Sequence, residues 1–393
     1  MRVLHVIPAV AARYGGPSTS IAAMCRALNA QGIPTLIATT DADGPNTFDV
    51  PLGAQCSWHG LSTIFFPKQW SEAFKYSGPL AEWLDAHTRE FSVVHIHAVL
   101  SHASLAAARA ARASGTPYVI RPLGTLDAWS LAQKPWRKRI LMALGTRQLL
   151  RDAAAIHYTS IEERRQVERR FNLSNGVVVP LGVEEAWLTS PAVSDEQRAR
   201  DRYVLALSRL HPVKNLEALV DAFADLSTAG WRLVVAGTGD EAYADRLRAL
   251  IVRRQAGHAI AMPGWTDGDA KRALVRQASL FALPSLHENF GVGLVEALAA
   301  GVPALVSDQV HLAETIRSAG AGWVASSSRE SLRAALADAL TRHDERLERA
   351  AAARDLAGRF SWTAIGAQLA SMYTSLPRPD AVQPLRIAAL PRS

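Results

Sequence analysis

The sequence predicts an α/β protein made of two tandem, doubly wound parallel-sheet domains that face a central cleft. Three observations carry this expectation. Apolar, β-rich runs alternate with helix-period segments, the rhythm of βαβ units. After Pro180-Leu-Gly-Val-Glu184 the same rhythm starts again. The chain's 393 residues also exceed what one hydrophobic core usually organises.

In the first half the strand candidates are RVLHVI (2–7), PTLIAT (34–39), SVVHIH (92–97), PYVIR (117–121) and AAIHY (154–158). Helical patterns over 18–30, 79–88, 101–113 and 160–171 separate them. The second half offers RYVLALS (202–208), WRLVVAG (231–237), HAIAMPG (258–264), SLFALPS (279–285) and PALVSD (303–308), again with helices between. The linker is expected near 180–195. The last helix pattern runs from Ser361 to Tyr373, and the Pro-rich stretch after it, 377–393, reads as a flexible tail.

Composition narrows the class. With 49% hydrophobic and 20% charged residues the chain is globular rather than disordered. Two cysteines, Cys25 and Cys56, cannot build a disulfide framework and suit a reducing compartment. The apolar run at the N-terminus is about eight residues long and is broken by His5 and Pro8, which argues against a signal peptide. No window supplies the roughly 18 apolar residues of a membrane span. A cytoplasmic protein is expected, with peripheral contact at the inner face of the membrane as its possible extension.

The charge is uneven. Residues 1–180 hold 19 Lys and Arg against 12 Asp and Glu, whereas 181–393 hold 24 against 24, so the whole +7 lies in the first half. Much of it sits in 134–151, where Arg137, Lys138, Arg139, Arg147 and Arg151 surround Trp136, Ile140, Leu141 and Leu144. Such a basic amphipathic segment reads either as contact with an anionic membrane or as a solvated helix face. No base-stacking or recognition motif accompanies the charge, so nucleic acid is not an expected partner.

In open α/β sheets ligands bind beyond the carboxyl ends of the strands, and the informative residues fall there. Gly15 and Gly16 open the first helix after strand one, either as a simple turn and cap or as an anion site made by free N–H groups. In Ser208-Arg-Leu-His-Pro-Val-Lys-Asn215, Arg209 and Lys214 are placed to converge on one anion, the fork and the point charge that suit a diphosphate. Gly237 and Gly239 form another close-approach turn, weak evidence by itself. Glu288 and Glu296 lie eight positions apart in HENFGVGLVEALAAGVP, at most about 12 Å along a helix, so they can address two parts of one extended ligand. A cap and a surface glutamate would not explain Gly291 and Gly293, each costing up to about 1 kcal/mol relative to Ala in a helix.

HENFGVGLVEALAAGVP, with SRLHPVKN upstream, VVAGTGD between them and GGPS near the start, resembles the retaining glycosyltransferases of family 4. These have the GT-B fold of two Rossmann-like domains. The resemblance covers nearly the whole chain in order. It implies an acceptor-side domain over 1–183 and a nucleotide-sugar donor domain over 184–360. SWTAIGAQLASMY, within 361–376, resembles the closing helix that returns to the first domain. The resemblance implies transfer of a sugar from a UDP- or GDP-linked donor to a hydroxyl of a glycan or lipid-linked acceptor, as in bacterial surface-polysaccharide synthesis, without cofactor or metal. Arg209 and Lys214 would hold the donor diphosphate and Glu288 the donor sugar, the three catalytic residues, with Glu296 on the ribose. The Gly15-Gly16 backbone would close over the diphosphate, and Asn289, Phe290 and Gly291 would line the donor pocket with main-chain N–H groups.

One departure stands out. Leu123 occupies the turn where many members of that family carry a histidine, and His97, Arg121 and Asp127 are the acceptor-side candidates to replace it. His95 and His97 share a strand face with His102 beyond, but no Cys or Glu cluster completes a metal site. Asp41-Ala-Asp43 and Asp267-Gly-Asp269 read as turns and caps. Two alternatives remain: an epimerase or hydrolase of sugar nucleotides on the same fold, or a non-catalytic nucleotide-sugar-binding partner.

Overall fold

The computed structural model describes residues 1–70, 72, 74–127, 130–131, 145–191, 193–199, 201–226 and 230–377. The core of the basic segment, 132–144, and the tail beyond 377 lie outside them. The chain forms two compact units. One contains Met1–Tyr158, Arg164–Val178 and the chain from Gly366, and the other Thr159–Glu163 and Val179–Ile365.

The first unit holds β1 (Val3–Val6), β2 (Thr35–Thr40), β3 (Ala42–Asp43), β4 (Asn46–Thr47), β5 (Gln55–Trp58), β6 (Leu61–Phe66), β7 (Val93–His97), β8 (Tyr118–Arg121), β9 (Ala155–Tyr158) and β10 (Gly176–Val178). Its main sheet has the order β10-β9-β8-β7-β1-β2-β6-β5. All neighbours are parallel except β5, which pairs antiparallel with β6 at the edge. β1, β7, β8 and β9 are buried along their whole length, which is why they read as unbroken apolar runs rather than alternating ones. The sequence patterns miss the short pair β3 and β4 as well as β5, β6 and β10. β5 alternates between exposed and half-buried positions, and β10 is three half-buried residues. The β5–β6 connection is a tight turn with His59 and Gly60 both at positive φ, a hairpin signal without the usual Asn-Gly pair.

The second unit is a six-stranded parallel sheet of β11 (Arg202–Leu207), β12 (Trp231–Ala236), β13 (Ile260–Gly264), β14 (Leu280–Leu283), β15 (Ala304–Ser307) and β16 (Gly322–Ala325). Its order is β13-β12-β11-β14-β15-β16. Numbered from its own first strand this is 3-2-1-4-5-6, the doubly wound order whose reversal point lies between the first and fourth strands. β16 escapes the sequence patterns because it begins with Gly322. There a Cβ would run into the Ala304 carbonyl of the neighbouring strand. Among the described residues no helix is long and apolar enough to cross a membrane.

One face of the first sheet is polar and buried. His5 pairs in register with His95, and His97 with Arg121, so these side chains gather on that face with His157 of β9. His5 Nδ1 lies 3.0 Å from His97 Nε2, and His157 Nδ1 lies 3.3 Å from His95 Nε2. Tyr373, from the helix Trp362–Thr374, covers the layer with its hydroxyl 2.7 Å from His95 Nδ1. In the same helix Gly366 lies against the Ala27 carbonyl, close enough that a Cβ would crowd it. His102 is not part of the layer. It packs on Tyr76, with ring centroids 4.3 Å apart.

Burial, helped by the Arg121 charge, pushes His5 down to about 3, and burial with the neighbouring charges pushes His95 and His97 well below the ordinary 6.5. The folded state keeps these rings neutral while the unfolded chain takes up protons below about pH 6.5. Their contribution to stability is therefore complete above that pH and lost as the pH falls towards 3. Unfolding free energies from urea titrations should fall as the pH drops from about 6.5 to 5, because the unfolded chain takes up protons that the buried rings do not. A flat profile over that window would contradict the buried layer.

Candidate functional site

In the second unit Arg209, Lys214 and Glu288 follow the carboxyl ends of β11 and β14, where the strand order reverses. Beyond β11 the chain passes Arg209, makes one 3-10 turn over Pro212–Lys214, and enters the helix Leu216–Ala224 through Asn215 at φ 54°. His211 Nδ1 accepts from Val213 N at 3.2 Å and Asn215 Nδ2 donates to the Ser327 carbonyl at 2.9 Å, which fixes the turn at both ends. Lys214 is thereby carried onto the carboxylate of Glu288, with which it forms an ion pair. Arg209 is exposed and pairs with no acid among the described residues.

Glu288 is held by its backbone. Its N–H donates to the Gln309 carbonyl at 3.3 Å and its carbonyl accepts from His311 N at 3.0 Å, a bridge between the β14 and β15 exit loops. Asn289 Oδ1 lies 3.1 Å from His311 Nδ1, and Phe290 is buried with its ring 5.9 Å from that of Phe360. Gly291, at φ 78°, turns the chain into the eight-residue helix Val292–Ala299, and its carbonyl accepts from Leu294 N at 3.0 Å and Val295 N at 3.3 Å. Glu296 is 8% exposed in this helix. Lys271 Nζ, from the helix Gly268–Gln277, lies 2.7 Å from its Oε1 and 2.6 Å from its Oε2. Burial raises the Glu296 pKa and Glu184 adds to the rise, while Lys271 opposes both.

The glycines have different reasons. A Cβ at Gly237 would strike the Ser208 carbonyl and one at Gly239 the Leu210 carbonyl, so both are required by the β11 exit loop itself. Gly291 is required by its φ. Gly293 has only ordinary contacts, and nothing in the local packing demands a glycine there. In the first unit Gly15 has φ 76°, and a Cβ at Gly15 or Gly16 would meet no atom of the described residues within 4 Å.

The acceptor-side candidates are enclosed. His97, Arg121 and Asp127 are 1%, 2% and 1% exposed, and His97 and Arg121 belong to the histidine layer. Leu123, two residues past Arg121, sits at φ 58° beside Gly124 at φ 69°, a backbone that a leucine adopts only under strain. The ligand atoms of His5, His95 and His97 lie within 4.8 Å of one another, close enough to hold a metal. The Arg121 charge acts on all three and opposes a cation there. Asp41 Oδ1 accepts from Lys68 N at 2.7 Å, and Asp267 precedes the helix Gly268–Gln277.

Sequence reasoning missed Lys271, His5 and His157. A signal for Lys271 was present: it stands in the first turn of a helix, where the dipole disfavours a cation.

Residues 193–356 match the family model for glycosyl transferases group 1, and residues 15–182 match the glycosyl transferase 4-like domain. The chain belongs to the group 1 glycosyltransferases. It is 30% identical to a phosphatidyl-myo-inositol mannosyltransferase of Mycobacterium leprae over 64% of each chain. It is 25% identical to a D-inositol 3-phosphate glycosyltransferase of Jonesia denitrificans over 91% of each. HepE of Anabaena, solved with UDP and glucose, superposes with a TM-score of 0.74 at 17% identity, over 96% of this chain and 100% of that one. This likeness shows the GT-B fold. The matches span less than two thirds of the length of several curated relatives, 64%, 30% and 52% of three of them.

The backbone contacts of the site yield a prediction independent of any ligand. Gly239→Ala should destabilise the protein by roughly 1–3 kcal/mol, because the Leu210 backbone must move to admit the methyl group. Urea unfolding without ligand checks this, and an unchanged midpoint would remove the close approach.

Proposed function

We propose that the chain is a retaining, metal-independent glycosyltransferase that moves a sugar from a UDP- or GDP-linked donor to a hydroxyl of a glycan or lipid-linked acceptor. The second unit is the donor side and the first the acceptor side. One observation carries the reading: Lys214 and Glu288 form an ion pair at the strand-order reversal, between the loop that also carries Arg209 and the loop that leads to the buried Glu296, just over one turn into the adjoining helix. HepE, solved with UDP and glucose, and the mannosyltransferase relatives support the substrate class.

As the bond to the anomeric carbon lengthens, the sugar gains cationic character and the diphosphate gains negative charge. Arg209 and Lys214 stabilise that leaving group as fork and point charge. Diphosphate binding draws Lys214 towards the phosphates and releases the Glu288 carboxylate to the sugar hydroxyls. Glu296 accepts from the ribose. The N–H groups of Asn289, Phe290 and Gly291 and the open turn at Gly15 and Gly16 supply further donors. His97, Arg121 and Asp127, enclosed in the acceptor-side unit, support its structure from within rather than meeting the acceptor directly. The segment 134–151 brings a membrane-borne acceptor to the enzyme through its basic residues.

Thermal unfolding with UDP, GDP and ADP in parallel, with and without magnesium, tests the reading. A nucleotide at 100 times its dissociation constant adds about 2.7 kcal/mol. A shift for UDP or GDP that ignores magnesium is expected, and no shift with any nucleotide would overturn the donor assignment. Lys214→Ala should weaken that nucleotide and lower the transfer rate by about 100- to 1000-fold. Unchanged affinity and rate would take Lys214 out of the site.

A further inference from the structure

Glu296 is nearly withdrawn from water, and a carboxylate in that setting tends to take up a proton. The charged groups acting on it are Glu184, which favours protonation, and Lys271, which opposes it. Lys271 belongs to a different helix and straddles both carboxylate oxygens, at 2.7 and 2.6 Å. Its Nζ also lies 5.9 Å from the ring centroid of Trp187, which is buried. Lys271 donates to Oε1, while Oε2, close beside the same ammonium, has no hydrogen-bond partner among the described residues, and the nearby positive charge favours the ionised form.

This matters for a diol. Each oxygen of an ionised carboxylate has two lone pairs, so the group accepts from Lys271 and still has capacity for two hydroxyls. A protonated carboxyl presents an O–H where a ribose hydroxyl must donate.

We propose that Lys271 is a positioning residue for the donor nucleotide: it holds Glu296 in one orientation and in its ionised form, so that the carboxylate accepts both ribose hydroxyls. Lys271 itself touches neither ribose nor phosphate. The proposal rests on the assignment of Glu296 to ribose made above. Its consequence is selectivity, because the discrimination between a ribonucleotide and its 2′-deoxy analogue then depends on Lys271 as well as on Glu296.

The test is calorimetric titration of UDP, 2′-deoxy-UDP, GDP, 2′-deoxy-GDP and pyrophosphate between pH 5.5 and 8. The proteins are wild type, Lys271→Met, Lys271→Arg, Glu296→Gln and the Lys271→Met/Glu296→Gln double variant. Lys271→Met should weaken the preferred ribonucleotide by about tenfold, the scale of one charged hydrogen bond. It should leave pyrophosphate unchanged and bring the ribo-to-deoxy ratio towards one. Affinity depends on ionised Glu296 and falls as the pH drops through its pKa, so in Lys271→Met that fall should begin at a higher pH. Lys271→Arg should keep most of the affinity, and the double variant should bind no worse than Glu296→Gln alone.

Ribonucleotide affinity, ratio and pH profile all unchanged in Lys271→Met, with Glu296→Gln weakened, would overturn the proposal alone. An equal loss for pyrophosphate would make Lys271 a phosphate ligand and also overturn it. If wild type binds no nucleoside diphosphate, or Glu296→Gln binds as tightly as wild type, the donor reading fails and the proposal with it.

Discussion

The reversal of strand order between β11 and β14 is the constraint on which the second unit's chemistry depends. From β11 the chain continues to β12 on one side, and from β14 to β15 on the other. The exit loops of the two adjacent strands therefore diverge, and no helix crosses the gap they leave. Arg209 and Lys214 come from one loop and Glu288 from the other. Residues 74 positions apart form an ion pair because two neighbouring strands end side by side.

Backbone geometry then decides how firmly the charges are held. Gly237 and Gly239 let the β12 exit loop lie directly against Ser208 and Leu210, and Glu288 is tied through its own main chain to the β15 exit loop. These contacts leave the side chains of Lys214 and Glu288 to pair with each other. The two Lys–Glu pairs differ in setting. Lys214 and Glu288 meet between loops, whereas Glu296 is enclosed in a helix, where burial raises its pKa and Lys271 opposes the rise.

The first unit treats polarity in the opposite way. Its histidines and Arg121 point into a covered layer under Tyr373, and depressed pKa values keep the three rings of His5, His95 and His97 neutral. Neutral imidazoles can donate and accept in turn, which suits a layer where His5 meets His97 and His95 meets His157. The open ground at this unit's carboxyl edge is instead the turn at Gly15 and Gly16, where no described residue fills the space beside the backbone.

The sequence by itself determined the tandem α/β architecture and the loops that carry the charge. Strand periodicity, glycine turns and helix stops are local, and ten of the sixteen strands announced themselves through them. β5 and β10 did not, because edge strands lack a long apolar run, and β16 did not, because its glycine is demanded by a neighbouring strand. Period-2 alternation put His95 and His97 on one face, but only the sheet order brought His5 and His157 beside them. Gly237 and Gly239 were visible as a turn, yet their cause is the carbonyls of Ser208 and Leu210, nearly thirty residues away. Glu296 could be read as a ligand residue. That Lys271 faces it, 25 positions earlier and on another helix, was decided by tertiary packing alone, since the distance between two helices is set by the sheet they both cover.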